Sequence, residues 1–160
     1  MLVYATRRGV NGFTLDPSIG EFCLSHADIQ CPVASTCYSV NHGYFYRYAL
    51  SIQLFINSCQ GQKDFSQRYV GSMVADLHRT LLKGGIFLYP GTLDRPDGKL
   101  RLMYECNPFA FIMEAAGGKA VNDDKRILDI IPHCLHETTP VYMGSAQLVE
   151  QLKIYLQQWN

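Results

Sequence analysis

Apolar and polar residues alternate along the first 25 positions: Phe13 and Leu15 flank Thr14, and Phe22 and Leu24 flank Cys23. A period of two gives each face of a strand its own set of side chains, and Asp16-Pro17-Ser18-Ile19-Gly20 supplies a turn, so an antiparallel meander is predicted over residues 1–25. Leu2-Val3-Tyr4-Ala5 reads as the middle of a strand with nothing before it to pair with, so these strands are expected to belong to a missing amino-terminal half. Residues 26–40, with Pro32 among Ser, Thr and Cys, read as a connector.

From residue 40 onward the period changes. Leu50, Leu54 and Ile56 fall near helical spacing within Tyr48–Asn57, and Gly61 can close that helix. A second helix is signalled from Ser72 as N-cap, through Met73, Val74, Leu77, Leu81 and Leu82, to a stop at Gly84-Gly85. Ile86–Tyr89 and Leu100–Tyr104 read as strands joined by a loop in which Asp97-Gly98 favours a turn. Asn107-Pro108 opens a third helix that ends at Gly117-Gly118. Short strands are predicted at Lys119–Asn122 and Pro140–Gly144. Ser145 then caps a last helix whose Leu148, Val149, Leu152, Tyr155, Leu156 and Trp159 share one face. The alternation predicts an α/β domain over residues 26–160: a layered mixed sheet flanked by helices on both faces, preceded by the meander.

Composition narrows the role. In 160 residues, 14 Lys and Arg balance 14 Asp and Glu, and 48% are apolar, which describes one domain able to bury a core. Zero net charge removes the broad basic footprint of a nucleic-acid binder, so a small partner is expected. No apolar window approaches the roughly 20 residues of a membrane span, and Arg7-Arg8 follows rather than precedes the first apolar run, so a soluble, cytoplasmic chain is expected. Its six cysteines form no C-x-x-C pair and read as reduced structural thiols.

Three stretches set polar donors beside glycine: Asn41-His42-Gly43-Tyr44, Gln67-Arg68-Tyr69-Val70-Gly71-Ser72, and Tyr89 through Lys99 to Glu105. A phosphate monoester needs one or two cations, neutral donors and closely approaching backbone amides, and these stretches contain all three. Ordinary surface and core tyrosines would leave the same composition.

The order of the residues carries more than their composition. Arg68-Tyr69-Val70-Gly71-Ser72-Met73-Val74-Ala75-Asp76-Leu77-His78-Arg79-Thr80-Leu81, then Gly84–Pro90 and Gly98-Lys99-Leu100-Arg101-Leu102-Met103-Tyr104-Glu105-Cys106-Asn107-Pro108, closely resembles the carboxyl-terminal half of class I fructose-1,6-bisphosphatases. The resemblance extends through Leu15–Phe22, Ile131-Pro132, His136 and Gly144-Ser145, and so covers essentially the whole chain. It implies that complete relatives hydrolyse fructose 1,6-bisphosphate to fructose 6-phosphate and phosphate, a step of gluconeogenesis.

It further implies that Asn41, Tyr44, Tyr69, Tyr89 and Lys99 hold the sugar's 6-phosphate and part of the furanose, that Arg68 reaches a neighbouring protomer's site, and that Gly71, Ser72 and Met73 line the sugar. Glu105 is the implied ligand of catalytic Mg2+. The other metal ligands of the family lie on an Asp-Pro-x-Asp-Gly-type motif that this sequence lacks; Leu15-Asp16-Pro17-Ser18 does not supply it. The implied metal site is therefore incomplete, no catalytic residue is assigned, and regulation by AMP is not expected. The expectation is a sugar-phosphate-binding half, inactive as a lone chain, within a homo-oligomer or beside a chain supplying the missing half. The alternative is a non-catalytic sugar-phosphate-binding or oligomerising remnant.

Other polar clusters read more simply. His133-x-x-His136 has no second ligand pair at zinc spacing, His78 and Asp76 are two apart and face different ways on a helix, and Asp123–Arg126 reads as a solvated turn.

Overall fold

The computed structural model describes residues 1–159 and contains two sheets. Strands β1 (Leu2–Thr6), β2 (Gly9–Asp16) and β3 (Glu21–His26) form the antiparallel meander expected from the alternation. The register opposes Leu2 to Phe13, Tyr4 to Asn11, Phe13 to Leu24 and Leu15 to Phe22. Directly opposed side chains share a face. Val3, Ala5 and Val10 therefore turn into the core, while Leu2, Tyr4, Phe13, Leu15, Phe22 and Leu24 point the other way, and every residue of β3 is exposed.

The second sheet is built from β4 (Cys37–Ser39), β5 (Ser66–Gln67), β6 (Ile86–Tyr89), β7 (Lys119–Val121) and β8 (Val141–Gly144) in the order β5-β4-β6-β8-β7. β4 runs parallel to β5 and β6, whereas β8 is antiparallel to β6 and β7. Alternation along its two central strands separates the core. Phe87 and Met143 face helices α2 (Met73–Lys83) and α3 (Asn107–Ala115) and the inner side of the meander. Ile86, Leu88 and Tyr142 face α1 (Leu50–Gln60) and α4 (Ala146–Trp159). Helices thus cover both faces of a mixed sheet, as the sequence pattern predicts. A fully buried side chain such as Phe55 or Leu152 contributes about 1.5–3 kcal/mol over leaving it in water.

Three local expectations need correction. Leu100–Tyr104 is not a strand: only a single bridge, Arg101 to Thr138, remains, and the chain coils into a π-type turn over Leu102–Cys106. Leu102, Cys106, Ala110 and Met113 are all buried, and that helical spacing outweighs the short alternation. The Arg101 carbonyl accepts from both Glu105 N (3.1 Å) and Cys106 N (2.9 Å), which starts the coil before Pro108, where no N–H is available. Secondly, Ser72 and Ser145 stand directly before α2 and α4 as predicted, and it is the use of their hydroxyls that differs. Ser72 occupies the N-cap of α2 without a side-chain bond. The buried Ser145 hydroxyl instead donates to Pro32 O (2.6 Å) and accepts from Gly85 N (3.0 Å), clipping the connector to β6. Thirdly, α1 starts two residues later than expected, because His42–Arg47 forms a 3-10 turn of its own.

No helix among the described residues is long and apolar enough to cross a membrane. All six cysteines are unpaired, and burial pushes the thiols of Cys31 and Cys59 up to about 11 and that of Cys106 to about 12.

Candidate functional site

Three segments leave the same end of the large sheet and converge. The first follows β4, where Asn41 caps the 3-10 turn by accepting from Gly43 N (3.0 Å). Its backbone is pinned from below: Tyr48 OH donates to Asn41 O (2.8 Å) and Gln67 Nε2 donates to Val40 O (3.0 Å). The second is the Pro90–Lys99 loop after β6, which folds on itself through Thr92 N to Arg95 O (3.0 Å) and Arg95 N to Thr92 O (2.8 Å). Gly98 is required there: its φ is +70°, and a Cβ would lie 2.7 Å from Pro140 N. The third is the 68–72 loop between β5 and α2.

The first two segments enclose a cavity of about 370 Å³. Asn41, Tyr44, Tyr89 and Lys99 all line it, so four of the nine sequence-assigned binding residues meet in one place. Tyr69 stands beside it, close enough to Tyr89 and Tyr44 for the phenols to interact electrostatically. Arg68, Gly71, Ser72, Met73 and Glu105 do not line the cavity. Ser72 instead borders an apolar groove with Met1, Val74 and Phe109, and Met73, the first residue of α2, packs against the core.

The 68–72 loop is held by a residue that the sequence reading set aside. Asp76 is fully buried on α2 and accepts from Val70 N and Gly71 N, each at 3.1 Å, while Arg79 Nη1 bridges its Oδ1 (3.1 Å) to Arg68 O (3.0 Å). Its role is to fix the loop that carries Arg68 and Tyr69.

Among the lining residues that the sequence reading did not assign are Arg47, Tyr48, Asp94 and Arg95. Arg47 lies 4.9 Å above the Tyr44 ring and pairs with Asp94 at 2.6 Å, holding that carboxyl down at about 2. The dense tyrosines flanking Arg47, and two opposite charges inside a proline-bracketed loop, were the available signals. Burial is the main cause that pushes the phenols of Tyr48, Tyr69 and Tyr89 upward, with help from one another, so they remain protonated donors at neutral pH. Arg47, Arg95 and Lys99 bring three cations against one carboxylate, Asp94, at a single cavity. Such a lining suits a small dianion.

Glu105 stands apart from this lining. Glu105 accepts from Arg101 N (2.8 Å) and faces the Arg101 guanidinium at 3.8 Å. No group of three His, Cys, Asp or Glu among the described residues could hold a metal ion. His133 and Glu137 pair with each other, and His136 Nδ1 lies 2.7 Å from Tyr104 OH.

Residues 31–157 match the family model described as fructose-1-6-bisphosphatase, C-terminal domain. A class 1 fructose-1,6-bisphosphatase of Cytophaga hutchinsonii is 53% identical over 162 residues, covering 98% of this chain but 47% of the relative, so the chain spans about half that protein's length. Crystal structures of Leishmania major fructose-1,6-bisphosphatase, in apo and in holo form, superpose with a TM-score of 0.95 at 46% identity, again over 98% of this chain and 51% and 48% of theirs.

Proposed function

Because the chain belongs to the fructose-1,6-bisphosphatase family and carries its C-terminal domain, we propose that its cavity binds the 6-phosphate and adjoining sugar of fructose 6-phosphate or fructose 1,6-bisphosphate. The observation that carries this reading is the convergence of Lys99, two arginines and the phenols of Tyr44 and Tyr89 on one cavity, with Tyr69 beside it. Lys99 supplies a point charge, and the tyrosines supply protonated donors on stiff stems. Asn41 fixes the turn that presents Tyr44. About five charge-assisted or comparable bonds of about 1.5–3 kcal/mol each give a gross gain of about 8–15 kcal/mol; an association cost of at least about 4, rising as side chains are ordered, leads us to expect a dissociation constant between millimolar and micromolar. Isothermal titration calorimetry with fructose 6-phosphate tests the reading. Binding that disappears in Lys99→Ala supports it, and equal heats for both proteins refute it.

In this reading hydrolysis of the 1-phosphate requires Mg2+ ligands beyond Glu105. A bound metal pair would supply water activation and charge neutralisation at the leaving oxygen; Glu105 would be one ligand, and a single carboxylate that faces Arg101 cannot hold the pair by itself. Residues 1–160 alone are therefore expected to release no phosphate above a metal-only blank. Magnesium-dependent turnover by the purified chain would overturn that expectation.

The outward side of the meander favours association. Leu2, Tyr4, Leu15, Phe22 and Leu24 are all more than 40% exposed on adjacent strands. A contiguous apolar face of that kind marks an interaction surface. Its proposed occupant is a further copy of the chain, or a chain supplying the remaining length of the relatives, with Arg68 contributing at the subunit boundary. Light scattering coupled to size exclusion reads this directly, and a monomer at all concentrations counts against self-association. A cytoplasmic location accords with this reading.

A further inference from the structure

The cavity holds one ion pair that its neighbours do not need for their own placement. Arg47 and Asp94 approach to 2.6 Å, yet their side chains are 49% and 62% exposed, and both line the same cavity as Lys99. The Pro90–Lys99 loop is already tied to the 3-10 turn through Leu93 N to Arg47 O (2.8 Å) and to itself through the Thr92–Arg95 bonds. An exposed pair of this kind contributes little to stability. The Arg47 guanidinium also stacks over Tyr44, which confines it to the cavity side of the turn.

We propose that Arg47 is a second phosphate cation of the cradle and that Asp94 is its built-in competitor, occupying the guanidinium until a sugar-phosphate dianion displaces it. This inference rests on the sugar-phosphate reading above. The charges motivate it. A phosphate monoester carries up to two negative charges and three acceptor oxygens, whereas Asp94 offers one charge and two oxygens. With Asp94 engaged, monoanions face a rim whose arginine is already neutralised. A dianion between Lys99 and Arg47 gains from both cations. The pair therefore acts as a charge threshold, favouring dianionic phosphate esters over carboxylates and other monoanions.

Calorimetry with fructose 6-phosphate on the 160-residue chain, at low salt and pH 8, separates the possibilities. Arg47→Gln is expected to weaken binding about tenfold, and Arg47→Lys, which keeps the charge but loses the planar fork, recovers part of that loss. Asp94→Asn should tighten binding by about three- to tenfold, since it removes both the competitor and a like charge. In the double variant Arg47→Gln/Asp94→Asn the gain should fall below about twofold, because the freed partner is gone. Wild-type binding lost in Lys99→Ala but unchanged in Arg47→Gln overturns the role of Arg47 and leaves the cradle intact. Weaker binding by Asp94→Asn, or an equal gain with and without Arg47, overturns the competitor. Absence of wild-type binding, or full binding by Lys99→Ala, removes the cradle itself and this inference with it.

Discussion

Replacing Asp76 should unfasten the 68–72 loop and test whether the fold builds its site from a buried charge. The carboxylate is fully buried, takes the Val70 and Gly71 amides at 3.1 Å and is paired with Arg79 at 3.1 Å. In Asp76→Ala these donors lose their common acceptor, and Arg79, three-quarters buried, keeps a charge without its partner. Removing one member of a buried pair costs about 3–5 kcal/mol. The two amides lie on an exposed loop and can recover water, so their loss is not added in full. A domain of this size has roughly 5–15 kcal/mol in total, so the variant should still fold, but near its limit. With a urea m value of about 2 kcal/mol/M, the midpoint should fall by roughly 1.5–2.5 M. Asp76→Asn keeps a carbonyl acceptor but not the charge, and should lose about half as much. A midpoint for Asp76→Ala within about 0.5 M of wild type would refute the assignment of this carboxylate as the loop's anchor.

Other consequences are open to measurement. Burial pushes the His42 imidazole below its ordinary value, so the unfolded chain binds the proton more readily. Stability from this group is then complete above about pH 6.5 and declines as the pH falls below it, a component that should vanish in His42→Phe when urea midpoints are compared at pH 5 and pH 8. A Cβ at Gly144, where φ is +150°, would collide with the Gly85 carbonyl oxygen across the β6–β8 pair. Gly144→Ala should therefore cost at least about 2 kcal/mol, seen as a lower melting temperature. Buried thiols at Cys31, Cys59 and Cys106 should resist a thiol reagent at pH 8 in the native state, while exposed Cys23 and Cys134 react within the mixing time; fast labelling of all six would refute the packing.

Periodicity revealed most of the architecture. The meander, the four helices and strands β6, β7 and β8 follow from period-two and period-3.6 runs with their glycine and proline punctuation. The failure at Leu100–Tyr104 was physical: five residues allow either period, and the buried partners at Cys106, Ala110 and Met113 decide the outcome. The cradle was partly legible for a similar reason. Tyr44, Tyr89 and Lys99 stand close to turn-forming glycines, but Arg47, Asp94 and Arg95 acquire meaning only when the Pro90–Lys99 loop closes on the 3-10 turn, where Leu93 N meets the Arg47 carbonyl 46 positions earlier in the chain. Asp76 was passed over because two-residue spacing to His78 was the relation considered. Its partners, Val70, Gly71 and Arg79, lie before the helix and one turn along it.

The register of the meander separates two properties that usually travel together. Because opposed residues share a face, six large side chains point away from the core, and none of them lines the cavity between Asn41 and Lys99. Colloidal behaviour, meaning the concentration at which copies begin to stick and the salt that drives them out of solution, is thus governed from a surface that shares no residue with the cavity. Lysines placed at Leu15 and Leu24 would tune self-association while leaving this chain's own cavity lining unchanged.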